Sequence, residues 1–228
     1  MIKIRKSKER GHFNYGWLDT FHTFSFSQYY NQEYNGFNSL RVINEDKIQP
    51  GEGFDTHGHK DMEIITYIVS GALEHKDSMG NKFVVKKGEI QKMSAGTGVK
   101  HSEFNHSKTQ PVHLLQIWIL PTKSNLPPDY QQKEIEFKDK LNLLISPKKN
   151  NNSLTINQDV ELYVSKLKKD EKINYNLSRN NAWLQLINGQ ITINNQKLES
   201  GDGATITQEK SLEIKSITDS EFLLFDLT

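Results

Sequence analysis

The chain has 228 residues, enough for one large domain or two small ones, and its acids and bases balance to a formal net charge of +1. That balance leaves no electrostatic footprint for direct nucleic-acid binding. The absence of cysteine excludes disulfides, thiolate metal sites, iron–sulfur clusters and thiol nucleophiles, and a cytoplasmic protein is the simplest reading. No apolar run approaches membrane-spanning length, and the basic first ten residues are followed by no apolar segment of signal-peptide type.

In chain order the pattern is β almost throughout, as short runs of β-branched and aromatic residues separated by Gly, Asn and Asp turns. Lys3, Lys6 and Lys8 read as a solvated strand edge that discourages pairing. The aromatic residues Phe21, Phe24, Phe26, Tyr29, Tyr30, Tyr34 and Phe37 read mainly as wall packing, with a flat-ligand pocket as the other reading. Strands follow at Ile64-Ile-Thr-Tyr-Ile-Val69 and Leu114-Leu-Gln-Ile-Trp-Ile-Leu120, with a hairpin tip at Asp77-Ser-Met-Gly-Asn81 between them. Pro128-Asp-Tyr-Gln-Gln132 reads as a short helix inside a polar linker at 123–134, and 147–153 as a solvated loop. Further strands run through Leu184-Gln-Leu-Ile187 and Phe222-Leu-Leu-Phe225, with a hairpin tip at Asn194-Asn-Gln196. The stretch from Tyr67 through Gly71 to Gly88 is echoed from Gln185 through Gly189 to Gly201, which suggests two β-barrel modules of one kind.

All eight histidines lie between His12 and His113, so any histidine-based metal chemistry belongs to the first half. Two pairs stand out, His57-Gly-His59 and His101-Ser-Glu103. Residues i and i+2 of a strand share a face, so two facing strands can close three imidazoles and a carboxylate around one ion. That donor set suits Fe, Mn, Ni, Cu or Zn and is too rich in nitrogen for Ca or Mg. Glu63, four residues after His59, is a second candidate carboxylate. His22 reads as a packing or supporting histidine and His75 as a hydrogen-bonded hairpin residue, while His12, His106 and His113 carry no supporting context.

Gly51, His57, His59, Glu63 and Gly71, followed by Gly88, Gly96, Gly98 and His101, resemble the two paired motifs of the cupin barrel. The likeness is closer to the pirin family, in particular its bacterial members described as quercetinases. It rests on Gly16-Trp-Leu18, His22-Thr-Phe-Ser-Phe26, Leu40-Arg-Val-Ile-Asn-Glu-Asp46, Asp61-Met-Glu-Ile64, Glu74-His-Lys-Asp-Ser-Met-Gly80, Met93-Ser-Ala-Gly-Thr-Gly98 and His101-Ser-Glu103, and more loosely on Leu126-Pro-Pro-Asp-Tyr-Gln131. The resemblance implies an all-β bicupin of two stacked jelly-roll barrels with few short helices. Residues 1–122 would form the metal-binding barrel and 135–228 a degenerate one. Offsets from the glycine landmarks map its ligand slots onto Tyr175, Leu177 and Ile214, none of which binds metal.

The resemblance further implies one divalent metal per chain, iron first and Zn, Ni, Cu, Mn or Co otherwise, held by His57, His59, His101 and Glu103. Glu63 would then hold an imidazole N–H or serve as the alternative ligand. Glu103 would also be the catalytic base of a dioxygenase that cleaves flavonols such as quercetin with O2 and releases CO. The implied partners are a polyphenol and O2, with the chain a monomer and no membrane involved. Two rivals share these ligands: a metal-dependent regulatory protein that binds a protein partner, and a zinc isomerase.

Overall fold

The computed structural model describes residues 1–149 and 152–228; Asn150 and Asn151, within the loop expected at 147–153, lie outside the described residues. The only helices among the described residues are two 3-10 turns, Ser7–Glu9 and Gln32–Tyr34. None is long and apolar enough to cross a membrane. The chain divides into two compact units. One comprises Gly11–Ile135 with Ile156–Gln158, and the other Met1–Arg10, Glu136–Thr155 and Asp159–Thr228.

In the first unit an antiparallel seven-stranded sheet runs in the order Asp129–Glu134, Glu89–Ser94, Glu63–Ser70, Val112–Ile119, Leu40–Ile48, Leu18–His22, Gly11–Asn14. A four-stranded sheet runs Gly53–His59, Val99–Asn105, Ala72–Asp77, Lys82–Lys86. Leu18, Ile48, Ile68 and Leu114 of the larger sheet meet Leu73, Val85 and Phe54 of the smaller one in a single apolar cluster. That cluster is the floor of the barrel and fixes which face of each strand looks inward. Counting from it by twos, Thr20 and His22, Asp46 and Asn44, Gln116 and Trp118, and Thr66 and Ile64 all face the interior.

The second unit repeats the plan. Its larger sheet runs Ile2–Arg5, Gly203–Thr207, Asn181–Asn188, Ser220–Leu227, Val160–Leu167, Asn142–Ser146, Leu154–Thr155, and its smaller one Lys172–Asn176, Ser211–Ser216, Gln190–Ile193, Gln196–Glu199. The repeat seen in the sequence is therefore a repeat of strand order, and both expected hairpin tips are turns. Asn194 and Asn195 have φ of 44° and 68°, the left-handed pair that a two-residue hairpin requires.

Three expectations need correction. Residues 1–10 belong with the second unit, because Ile2, Lys3, Ile4 and Arg5 pair in register with Ile206, Thr205, Ala204 and Gly203. The lysine-rich start therefore forms an edge strand that does pair, and Lys6 is anchored by its ammonium on Asp202 at 2.9 Å. The linker expected at 123–134 holds a strand and no helix. Asp129–Glu134 pairs with Glu89–Ser94 residue for residue, and the ladder outweighs the weak helical signal of one proline.

Candidate metal centre

His57 and His59 come from Gly53–His59, and His101 and Glu103 from the adjacent Val99–Asn105. His101 lies opposite His57, but Glu103 lies opposite Phe54, so Gly53–His59 carries one extra residue between these pairs. Such a bulge re-aims the side chains around it. Across it the chains approach so closely that a Cβ on Gly53 would lie 2.2 Å from the Glu103 carbonyl oxygen. The turn before the strand is equally demanding. Gly96 has φ +47°, and a Cβ there would lie 2.0 Å from the Leu126 carbonyl oxygen, so only glycine fits.

The three imidazoles converge. Ring centroids are 4.8 Å apart for His57–His59, 4.5 Å for His57–His101 and 4.9 Å for His59–His101. One nitrogen from each ring falls within 4.8 Å of the others. Burial and the neighbouring imidazoles push His59 down to about 4, and burial likewise pushes His101 down to about 4, so both are neutral near pH 7. The His57 Nδ1 donates to the Asp55 carbonyl at 2.7 Å, which fixes the tautomer and leaves Nε2 with a free lone pair. Both nitrogens of His101 are buried without a hydrogen-bond partner. Buried polar atoms are rarely left so, and three convergent imidazoles fit a first-row transition ion.

Glu103 is buried and falls into a second cluster that shares His101, made of His75, His101 and Glu103. Its Oε1 accepts from Gln91 Nε2 at 2.7 Å and its Oε2 from Gln116 Nε2 at 2.7 Å. The Thr66 hydroxyl ties the two amides together, accepting from Gln91 at 2.9 Å and donating to Gln116 Oε1 at 3.1 Å. Burial alone would raise the Glu103 carboxyl. Contact with His75, the charges of His101 and His75, and the Gln91 amide outweigh it and hold the carboxyl at about 2.

His75 is more than a hairpin residue. It is fully buried opposite Glu103, with Nε2 at 3.1 Å from Asp77 Oδ2 and Nδ1 at 3.8 Å from Glu103 Oε1. Burial pulls its pKa down, but the two carboxylates prevail and hold it above the ordinary value. Glu63 sits elsewhere. It accepts from Ser94 Oγ at 2.9 Å and Asn157 Nδ2 at 3.0 Å, and its Oε2 lies 3.7 Å from Lys92 Nζ. It joins neither histidine cluster, and no imidazole is its partner in this arrangement.

The expected aromatic cluster divides. Phe24 and Tyr34 are core, Tyr30 is 72% exposed, and Phe26 reaches the centre edge-on against Trp118, whose ring meets His59 at 4.9 Å. Sequence reasoning missed Thr66, Gln91 and Gln116. Their only signal is a polar residue recurring at inward positions of otherwise apolar strands.

A family model described as Pirin matches residues 3–119, and one described as the quercetinase C-terminal cupin domain matches 143–227. The chain belongs to the pirin family. This pirin is 49% identical over 228 residues to a quercetin 2,3-dioxygenase of Escherichia coli K12, covering all of this chain and 99% of the relative. It is 45% identical, over the whole of both chains, to a putative quercetin 2,3-dioxygenase of Pasteurella multocida. Among solved structures it resembles the bacterial pirin YhhW of Escherichia coli in complex with nickel(II), with a TM-score of 0.96 at 48% identity. That likeness covers 100% of this chain and 99% of the other.

In the second unit, Tyr175 lies opposite Leu212, as His57 lies opposite His101. Strand register thus matches His101 with Leu212 and Glu103 with Ile214, one step from the offset derived from the glycines. Either way the matching positions carry no ligand, and Leu212 and Ile214 are fully buried in an apolar cluster.

Proposed function

We propose that this pirin is a metal-dependent dioxygenase that opens the central ring of flavonols such as quercetin with O2 and releases CO. The observation that carries the reading is the convergence of His57, His59 and His101 with both His101 nitrogens buried and unpartnered. The names of the relatives and the nickel(II) complex of YhhW support it. His57, His59 and His101 would hold one divalent ion, with Glu103 as the carboxylate beside them; iron remains the first candidate and nickel the next. When bound, the ion supplies Lewis acidity and a path for electrons between an electron-rich phenolate and O2.

The chain's own groups do the remaining work. Glu103, already ionised, accepts the proton of the flavonol hydroxyl on a carboxylate oxygen. Gln91 and Gln116 hold that carboxylate in one orientation, so little reorganisation is needed when the proton arrives. His75 stands behind it, tied to Asp77 through Nε2 at 3.1 Å with Nδ1 at 3.8 Å from Glu103 Oε1, and limits its movement. Trp118 and Phe26 form an apolar flank that keeps water from the face of a flat ligand.

The test is to strip the protein of metal, reload it separately with Fe(II), Ni(II), Mn(II), Cu(II), Co(II) or Zn(II), and follow loss of the quercetin band in air. Turnover with a redox-capable ion that stops without O2 is the expected result. Stoichiometric loading without turnover by any of these ions overturns the dioxygenase reading.

A further inference from the structure

Across the larger sheet of the first unit, inward residues at one level form a continuous polar row. His22 lies opposite Asn44, Asn44 opposite Gln116, Gln116 opposite Thr66, and Thr66 opposite Gln91. Directly opposite residues have Cβ atoms about 5 Å apart, so the row is one contiguous strip. Its two halves are used differently. Thr66, Gln91 and Gln116 spend their polar atoms on one another, on Glu103 and, through Gln91 Oε1, on the Tyr130 hydroxyl.

The other half is unspent. Asn44 Oδ1 and His22 Nδ1 are buried without a hydrogen-bond partner, and so is Oδ1 of Asp46, two residues along from Asn44 on the same face. The three residues are 4%, 4% and 3% exposed. His22 is neutral, since burial pushes it down to about 4, and it bonds the Phe26 backbone through its other nitrogen. Its Nδ1 is therefore a lone-pair acceptor. One level nearer the imidazoles, Trp118 Nε1 is a buried donor that also lacks a partner.

Acceptors buried without partners are costly unless a ligand or water completes them. Two acceptors on adjacent strands, beside a carboxyl that can accept or donate, call for hydroxyl groups. Trp118 in turn calls for an oxygen acceptor, and its ring contact with His59 ties this wall to the imidazole cluster. We propose that His22, Asn44 and Asp46 form a recognition wall for the hydroxyl groups of an aromatic ligand, on the ring that points away from the imidazoles. It rests on the reading of those imidazoles as a flavonol-binding metal centre, and it assigns to that centre the residues that distinguish heavily hydroxylated flavonols from bare ones.

The experiment is an O2-free titration of the nickel(II)-loaded protein with quercetin and with 3-hydroxyflavone, which keeps only the hydroxyl beside the ketone. Wild type, Asn44→Leu and His22→Phe are compared, with nickel content and thermal midpoint recorded for each. Wild type should prefer quercetin by about tenfold or more, as expected of two or more new hydrogen bonds. Each substitution should cut that preference to about threefold or less by weakening quercetin alone, 3-hydroxyflavone and nickel binding staying within about twofold. Two substitutions are used so that one remains readable should the other fail to fold.

An undiminished preference in the variants overturns the proposal, as does an equal loss for both flavonols, which marks a purely structural role. Wild type that binds both flavonols without preference also overturns it, the wall then holding ordered water only, and leaves the metal-centre reading standing. Wild type that binds neither flavonol overturns that reading and this inference together.

Discussion

The two units of this pirin have the same strand order and opposite interiors. In the first, an apolar floor of Leu18, Ile48, Ile68 and Leu114 gives way to a polar level and then to three histidines. In the second, Leu184, Leu186, Ile191, Ile193, Leu212, Ile214, Phe222 and Leu224 fill the corresponding space. A shared backbone plan therefore does not decide chemistry; the side chains at a few inward positions do. The first interior keeps buried polar atoms unpartnered at His22, Asn44, Asp46 and His101, a cost in stability that the second avoids at the position of His101, where strand register places the fully buried Leu212.

That contrast can be broken most sharply at His101. His101→Ala should reduce bound metal from about one ion per chain to under about a tenth, read by elemental analysis after dialysis, because a donor at the centre of both clusters is gone. Unchanged metal content would sink the ligand assignment. The mirror experiment is in the second interior. Leu224→Ala removes a fully buried side chain and should cost about 2–5 kcal/mol in denaturant unfolding while metal per folded chain stays constant. A loss of metal in the folded variant would show that the two interiors are not functionally separable.

The smallest effect sharpens the comparison through pH. Burial pushes the Asp46 carboxyl up to about 7, against the pull of a Thr20 hydrogen bond and with help from the charges of Glu103 and Glu45. Between about 4 and 7 the folded chain then holds a proton that the unfolded chain has released, so this group's contribution to stability falls as pH rises. Asp46→Asn lacks that titration. Without metal, its stability relative to wild type should rise by of order 2–4 kcal/mol from pH 4 to pH 7, measured by urea melts at each pH. A pH-independent difference would mean that Asp46 titrates normally.

Much of this was legible in the sequence, for identifiable reasons. Strand periodicity is local, so His57 and His59 could be placed on one face from spacing alone, and the glycine landmarks gave the repeat. What stayed hidden depends on partners distant in the chain. Glu63 and Glu103 both look like a fourth ligand until Ser94, Asn157 and Lys92 are seen around the first, and Gln91 and Gln116 around the second. His75 looked ordinary because its burial comes from pairing with the Glu103 strand, which no spacing reports. The unit to which the first ten residues belong is hidden for the same reason, the partners of Ile2–Arg5 lying at 203–206.

That last pairing has a consequence for biosynthesis. The Ile2–Arg5 strand is made well before its partners, which lie about 200 positions later in the chain, a wait of roughly 10–40 s at ordinary elongation rates. Every strand of the histidine-bearing unit has emerged by Glu134. The half with the candidate metal centre can thus fold, and sample ions, while the ribosome is still making its companion. For that interval the opening strand of the other half must be kept from pairing with anything else.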